Sequence, residues 1–411
     1  MNNYNIAMKI ANKNSLLKII ISLLIIFIIA FPKGGVKVGE LPITNGYIIL
    51  AFASLLAIFA NIFNKTLLVI NRMQIIIFIF FVLFQMVFFV SIIFNGFENK
   101  NFLIASIISL GVIPFVFIFL FKYQINKVDT YFILKCVSRA VFFVSAYGVF
   151  LFFYKYITGE FIEIPYLTVN AQDVGTLEGK YIDRGGIYKL ISTYNNGNIY
   201  GVCILMLLPL YNLIERTRWR SSIVQMSLIL TLSRTVWIGL LLYHILKVIL
   251  RKKISITKLV KLVFFILFLV VIIVFIMDYF LHTNINFIFD RNLGGRIGQI
   301  ESLNIFFFPN KEFSVIHEIV YISILDQLGV LGLFSFILLM VSPLGLYYIH
   351  KRKINNPYKQ AIFLGMVIYL IVAFSDGAIL YIPVMAIYWF LAALLISKNN
   401  LVLYNLPCNS K

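Results

Sequence analysis

The sequence predicts an all-α polytopic membrane protein, a bundle of about twelve transmembrane helices with two large loops outside the bilayer. Three observations predict it. Of the 411 residues, 61% are hydrophobic and the mean hydropathy is +0.96, where a soluble domain is about half apolar. Charged residues make up only 12%, about half the usual share. Apolar runs of the roughly 20 residues that a bilayer crossing needs recur along the chain. Only two long polar stretches break them, 158–196 and 281–314. One integrated membrane domain over 1–411 fits this pattern better than separate domains.

The first apolar run, 16–31, follows Lys9, Lys13 and Lys18 as the core of a signal peptide would. No A-x-A-like cleavage site follows it, so it reads as an uncleaved span whose Lys18 snorkels to the headgroups. The next spans are 46–63, 73–94, 102–121 and 131–157. After the first polar stretch come 197–214, 221–250 and 259–280; after the second come 329–349, 361–374 and 379–397.

Positive charge orients the bundle. One set of connections is basic: Lys65 with Arg72, Lys122 with Lys127, Arg216 with Arg218 and Arg220, Arg251-Lys252-Lys253, and Lys351-Arg352-Lys353. These belong in the cytoplasm. The alternate connections 32–45 and 95–101 are nearly neutral, and they place both polar stretches outside. The run 221–250 has basic clusters at both ends. At about 45 Å it is too long for one straight crossing, and a single crossing would invert everything after it. Two short helices with a turn near Ser233-Arg234 keep both clusters inside. Arg234 then sits at an outward tip, and both termini are cytoplasmic.

The net charge of +19 does not point to nucleic acid, because the Lys and Arg sit in short loops between apolar spans. Cys136, Cys203 and Cys408 are scattered, without metal spacing or a disulfide framework. The long loops carry isolated carboxylates and no DxD, so neither a metal nor another cofactor is expected. Charges within the spans are few. Lys135 and Arg139 lie near a cytoplasmic end, Asp278 and Asp376 near outer ends. A chain of buried carboxylates, as in proton-coupled transporters, is missing, and no two halves match as inverted repeats.

The candidate chemistry therefore lies outside the bilayer. Four arginines stand there: Arg184, Arg234, Arg291 and Arg296. A guanidinium fork matches a phosphate or diphosphate bidentately. Gly185-Gly186 and Gly294-Gly295 let backbone approach an anion closely. Binding of lipid headgroups, or pairing with Asp183 and Asp290, is the alternative use of these side chains. His317 is the histidine in this context. Glu318-Ile319-Val320-Tyr321 continues from it in helical periodicity to Gly329, with Tyr321 one turn away on the same face. An exposed histidine at a helix start is a candidate general base, its ordinary pKa being about 6.5. His282 reads as interfacial, His244 as a bundle residue, and His350 as the head of a cytoplasmic basic cluster.

At these residues the chain resembles the O-antigen polymerase and O-antigen ligase superfamily, bacterial inner-membrane proteins that transfer glycans from an undecaprenyl-pyrophosphate carrier. The threonine-leucine-serine-arginine signature on a short helix is matched by Thr231-Leu232-Ser233-Arg234. The Gly-Arg signature in the second large periplasmic loop is matched by Gly295-Arg296. The histidine heading a helix that ends in a G-x-x-G turn is matched by His317 and Gly329-Val330-Leu331-Gly332. In the first large loop, Arg184 precedes Asn195-Asn196-Gly197. The residue after the histidine, usually Asn, Ser or Gln, is Glu318 here. The likeness covers 184–332 and the overall topology.

The resemblance implies a metal-independent glycosyltransferase with periplasmic loops at 158–196 and 281–328, the second including an amphipathic helix. Arg184, Arg234, Arg291 and Arg296 would hold the donor pyrophosphate, and His317 would be the catalytic base. The expected partners are an undecaprenyl-pyrophosphate-linked oligosaccharide, membrane lipids and a chain-length regulator. A polymerase is the favoured activity. A ligase shares the motifs and differs mainly in its acceptor, lipid A-core. A lipid-linked oligosaccharide flippase would need a polar central cavity that these spans lack.

Overall fold

The computed structural model describes residues 15–38, 41–63, 70–177, 188–249, 264, 296–350 and 356–397. The expected span 259–280 and the candidate residues Arg184 and Arg291 lie outside the described residues. In chain order the helices are α1 (Ser15–Ala30), α2 (Asn45–Phe63), α3 (Arg72–Asn95), α4 (Lys100–Lys127), α5 (Thr130–Thr158) and α6 (Gly197–Ile214). They continue as α7 (Arg218–Ile229), α8 (Arg234–Ile249), α9 (Arg296–Glu301), α10 (Val320–His350), α11 (Pro357–Val372) and α12 (Ile382–Ile396). Among the described residues, 6 helices are long and apolar enough to cross a membrane: α2 to α6 and α10. One departure from an all-helical reading is an antiparallel hairpin, β1 (Gly35–Val38) with β2 (Leu41–Thr44), in the connection between α1 and α2.

Short polar residues set where the helices begin. Asn99, Asp129, Asn196 and Asn356 each accept backbone N–H bonds of the first turn that follows, which satisfies donors a helix start leaves orphaned. Gly96 and Gly159 end α3 and α5 with positive φ.

The two-helix reading of 221–250 holds. α7 ends at Ile229, the chain turns through Leu230–Ser233 with Leu232 at φ 50°, and α8 starts at Arg234. Thr231 Oγ1 donates to Leu228 O at 2.7 Å and Trp237 Nε1 donates to Ile229 O at 2.9 Å, so the last carbonyls of α7 are satisfied by side chains of the turn and of α8.

The centre of the bundle is α6 with α12. Every residue of α12 from Ile382 to Leu395 is buried, as a helix that is apolar all round should be. In α2 and α3 only 28% of the most apolar stretch is buried, and many of the remaining apolar side chains are exposed. Lipid tails are as apolar as leucine, so close helix contact must come from small residues and internal hydrogen bonds. Both are present. A Cβ at Gly365 of α11 would lie 2.0 Å from Met206 O of α6, and one at Gly201 would strike Val236 of α8. Tyr200 Oη sits between Ser145 Oγ (2.9 Å) and Ser227 Oγ (2.5 Å), joining α5, α6 and α7. The last turn of α1 is a π-turn, Ile26–Ala30, and hydroxyls of Thr193 and Tyr194 donate to its Ala30 and Ile29 carbonyls. Backbone groups released from regular bonding inside an apolar bundle need such partners.

Candidate functional site

Four segments meet at one end of this bundle. The first is the start of α6. The Asn196 side chain accepts from Asn198 N (2.9 Å) and Ile199 N (3.2 Å), and Asn198 turns its own amide toward Asp376. The second is the α7–α8 turn, tied to the end of the first polar stretch by Leu190 N donating to Leu230 O at 3.0 Å. The third is the connection from α11 to α12, residues 373–381. The fourth runs from α9 through 313–319 into α10.

Cross-links between these segments build the site. Asn198 Nδ2 donates to Asp376 Oδ2 at 2.8 Å. Arg296 Nη2 donates to the same oxygen at 3.3 Å, and to Glu318 Oε2 at 2.8 Å; its Nε also reaches Glu318 Oε2, at 3.2 Å. The Gly377 N–H donates to Glu318 O at 3.1 Å, fastening the third segment to the fourth. Thr235 Oγ1 and Ser375 Oγ lie 2.9 Å apart. Arg234 and Asp376 are thus each one residue from a shared hydroxyl contact. Arg234 is half-buried at the first position of α8.

A pocket of about 280 Å³ opens between these segments, lined by Asn196, Asn198, His317, Glu318, Asp376 and Tyr381 together with apolar side chains. Asp376 is only 3% exposed. Burial pushes its carboxyl up to about 6, and the charge of Glu318 adds to the rise. Arg296, the Asn198 amide and the cation Lys189 hold it down. The Tyr381 hydroxyl is buried and finds no hydrogen-bond partner among the described residues, and the Lys33 ammonium lies 4.6 Å from the centre of its ring. Among the described residues no group of three His, Cys, Asp or Glu side chains is placed to hold a metal ion.

Of the residues singled out in the sequence, His317 lines this pocket, Arg296 pairs with its lining residues Glu318 and Asp376, and Arg234 stands on the turn whose neighbour Thr235 meets Ser375. His317 differs from expectation in its local structure. It does not head a helix; α10 begins three residues later, at Val320. Its backbone N–H is satisfied by Ser323 Oγ at 2.8 Å and its side chain is exposed. Tyr321 is not beside it on a shared face, because the Tyr321 hydroxyl donates to Leu370 O at 2.8 Å and its ring packs on Phe374. The helix after His317 does end at the first glycine of Gly329-Val330-Leu331-Gly332, where Gly329 takes φ 70° and ψ −175°.

Sequence reasoning gave no role to Asn198 and Lys189, and placed Asp376 only near the outer end of a span. Asp376 had a readable signal: an ionisable residue between two apolar spans is a functional hypothesis by default. The pairing of Arg296 with it had none, since the two lie 80 positions apart. No protein-family model matches the chain, and no curated protein matches it.

Proposed function

We propose that the chain is an O-antigen polymerase of lipopolysaccharide biosynthesis. In this reading it is a metal-independent glycosyltransferase at the periplasmic face of the bacterial inner membrane. It joins oligosaccharide repeat units carried on undecaprenyl pyrophosphate. The observation that supports the reading is a pocket at the end of an apolar bundle that is lined by the exposed His317 and by Glu318 and Asp376, both paired with Arg296, with the turn bearing Arg234 tied to Ser375 beside Asp376.

The chemistry follows from what each group can do. The acceptor is a sugar hydroxyl, a poor nucleophile until its proton is withdrawn. His317 takes that proton, and the hydroxyl oxygen attacks the anomeric carbon of the donor. The bond from that carbon to the carrier diphosphate breaks with inversion, and the diphosphate leaves with the electron pair. Charge developing on it needs fixed cationic donors. Guanidinium groups supply these at any working pH, here from Arg234 and Arg296, with Arg184 and Arg291 as further candidates from the two polar stretches. Asp376, itself held by the Asn198 amide, pairs with Arg296 beside the pocket. Glu318 occupies the fork that the diphosphate would use, and at 53% side-chain exposure it can swing into water at little cost. Membrane lipids and a chain-length regulator are the further partners of this reading.

A deletion strain tests it. Loss of the polymerase leaves lipid A-core capped with a single repeat, and the wild-type gene restores long chains. Bare core would assign the ligase reaction instead, and unchanged long chains would remove both.

A further inference from the structure

We infer that the tip formed by Ile305, Phe307 and Phe308 is inserted into the bilayer interface and tethers the loop between Arg296 and His317 to the membrane. These three side chains are 65%, 62% and 62% exposed, and the two phenylalanine rings pack edge to face with centroids 4.9 Å apart. An exposed apolar cluster of this kind on a loop marks an interaction surface.

Two backbone staples fix the height of the tip. At Gly329 the helix α10 breaks, and its second half starts afresh with orphaned N–H groups. Carbonyls of the tip satisfy two of them: Val330 N donates to Phe306 O at 2.8 Å and Leu331 N to Phe307 O at 3.2 Å. The tip is therefore docked onto the very end of the helix half 330–350. That half is roughly 30 Å long, the thickness of a hydrocarbon core. Farther along, Phe313 N donates to Gly96 O (3.1 Å) and Glu98 N donates to Phe313 O (3.0 Å), which fastens the loop to the end of α3. Both staples sit where a spanning helix leaves the membrane.

The surface below the tip names its occupant. Val330, Phe334 and Val341 run down the outward face of α10 at helical spacing, all exposed and apolar. Ile93 and Phe94, 75% and 81% exposed, crown the neighbouring α3. The tip adjoins this apolar surface through the Val330 and Leu331 bonds, and Pro309-Asn310-Lys311 then returns the chain to polar sequence. The occupant is lipid at the acyl–headgroup boundary, where aromatic side chains anchor membrane proteins.

Site-directed spin labelling in lipid vesicles tests this. Labels go at Phe307→Cys, Asn310→Cys and Phe334→Cys, in full-length protein with Cys136, Cys203 and Cys408 replaced by alanine. The expected ratio of oxygen to nickel-chelate accessibility at 307 is several-fold above that at 310 and close to that at 334. A ratio at 307 equal to that at 310 puts the tip in water and overturns the inference. Inaccessibility to both reagents with dipolar broadening between labels also overturns it, assigning the face to a second copy of the chain. Phe307→Trp in the otherwise unaltered chain gives an independent reading. Lipids brominated on the acyl chain should quench the added emission, and an unquenched increment contradicts the tether. Neither measurement depends on what the pocket binds.

Discussion

Arg296 and Asp376 meet at the pocket wall, Nη2 to Oδ2 at 3.3 Å, with Asn198 Nδ2 sharing the same carboxylate oxygen at 2.8 Å. The side chains of this ion pair are 13% and 4% exposed. It joins a short helix in the second polar stretch to the connection between two apolar helices. A buried ion pair of this kind is weak evidence for stability, but breaking one partner leaves a stranded charge.

The ionisation of Asp376 predicts a pH dependence of stability. Its folded pKa is raised to about 6, while an unfolded aspartate titrates near about 3.9. Between these values the folded state binds more protons than the unfolded state, so stability falls as pH rises through that window. The contribution is fully present below pH about 4 and lost above about 6. The melting temperature in detergent should decline over this interval and then level, and Asp376→Asn should flatten the decline. Glu318→Gln should narrow it, because the Glu318 charge is one cause of the rise. A wild-type melting curve independent of pH over that window would remove this role for Asp376.

Glu318 stands where an anionic ligand of Arg296 would bind. Removing its charge should tighten binding of inorganic diphosphate, measured by thermal shift. The gain should stay below about tenfold, since a half-exposed ion pair contributes only about 0.2–1 kcal/mol. Arg296→Lys should weaken the same binding, because an ammonium keeps the charge and loses the fork. Equal diphosphate binding in all three proteins would detach Arg296 from phosphate recognition.

Two glycines carry the scaffold of the site for different reasons. Gly329, at φ 70° and ψ −175°, occupies a region that is essentially glycine-only. A Cβ there would also lie 2.9 Å from Phe306 O and Phe307 O. Gly365 is needed for contact between α11 and α6, its Cβ position being 2.0 Å from Met206 O. Gly329→Ala should cost about 1–3 kcal/mol from backbone strain alone, and Gly365→Ala should lower the melting temperature by forcing two helices apart. Gly345→Ala is the control, since a Cβ there meets nothing within 4 Å. A control as damaging as the other two would break the argument.

Much of this fold was legible in the sequence because a bilayer reduces it to counting apolar runs and basic loops. The pair α7 and α8 was readable from charge and length together: 221–250 was too long for one crossing and basic at both ends. The site was legible only in part. Arg296 and His317 stand in or just after the second polar stretch, and Thr231–Arg234 in an apolar run that is basic at both ends. Helical periodicity misled at 317–319, because Ser323 satisfies the His317 N–H and the Gly377 N–H holds the Glu318 carbonyl, so the chain stays out of the helix there until Val320. Asn198, Lys189 and the pairing of Arg296 with Asp376 were hidden for another reason. Their roles come from the tertiary approach of α6, α9 and the α11–α12 connection, which no local spacing records.

The central claim is that His317 activates the acceptor while the arginines hold the departing diphosphate. The most direct measurement is the rate of polymer formation by purified protein, given undecaprenyl-pyrophosphate-linked repeat units in excess chelator. Wild-type protein should make polymer without added metal. His317→Ala, at equal expression and melting temperature, should be slower by about 10²–10⁴-fold, the usual cost of losing a positioned base. Polymer of normal length and rate from His317→Ala would make His317 structural and move the search for the base to Asp376 and Glu318. Activity lost in chelator and restored by magnesium or manganese would contradict the arginine mechanism itself.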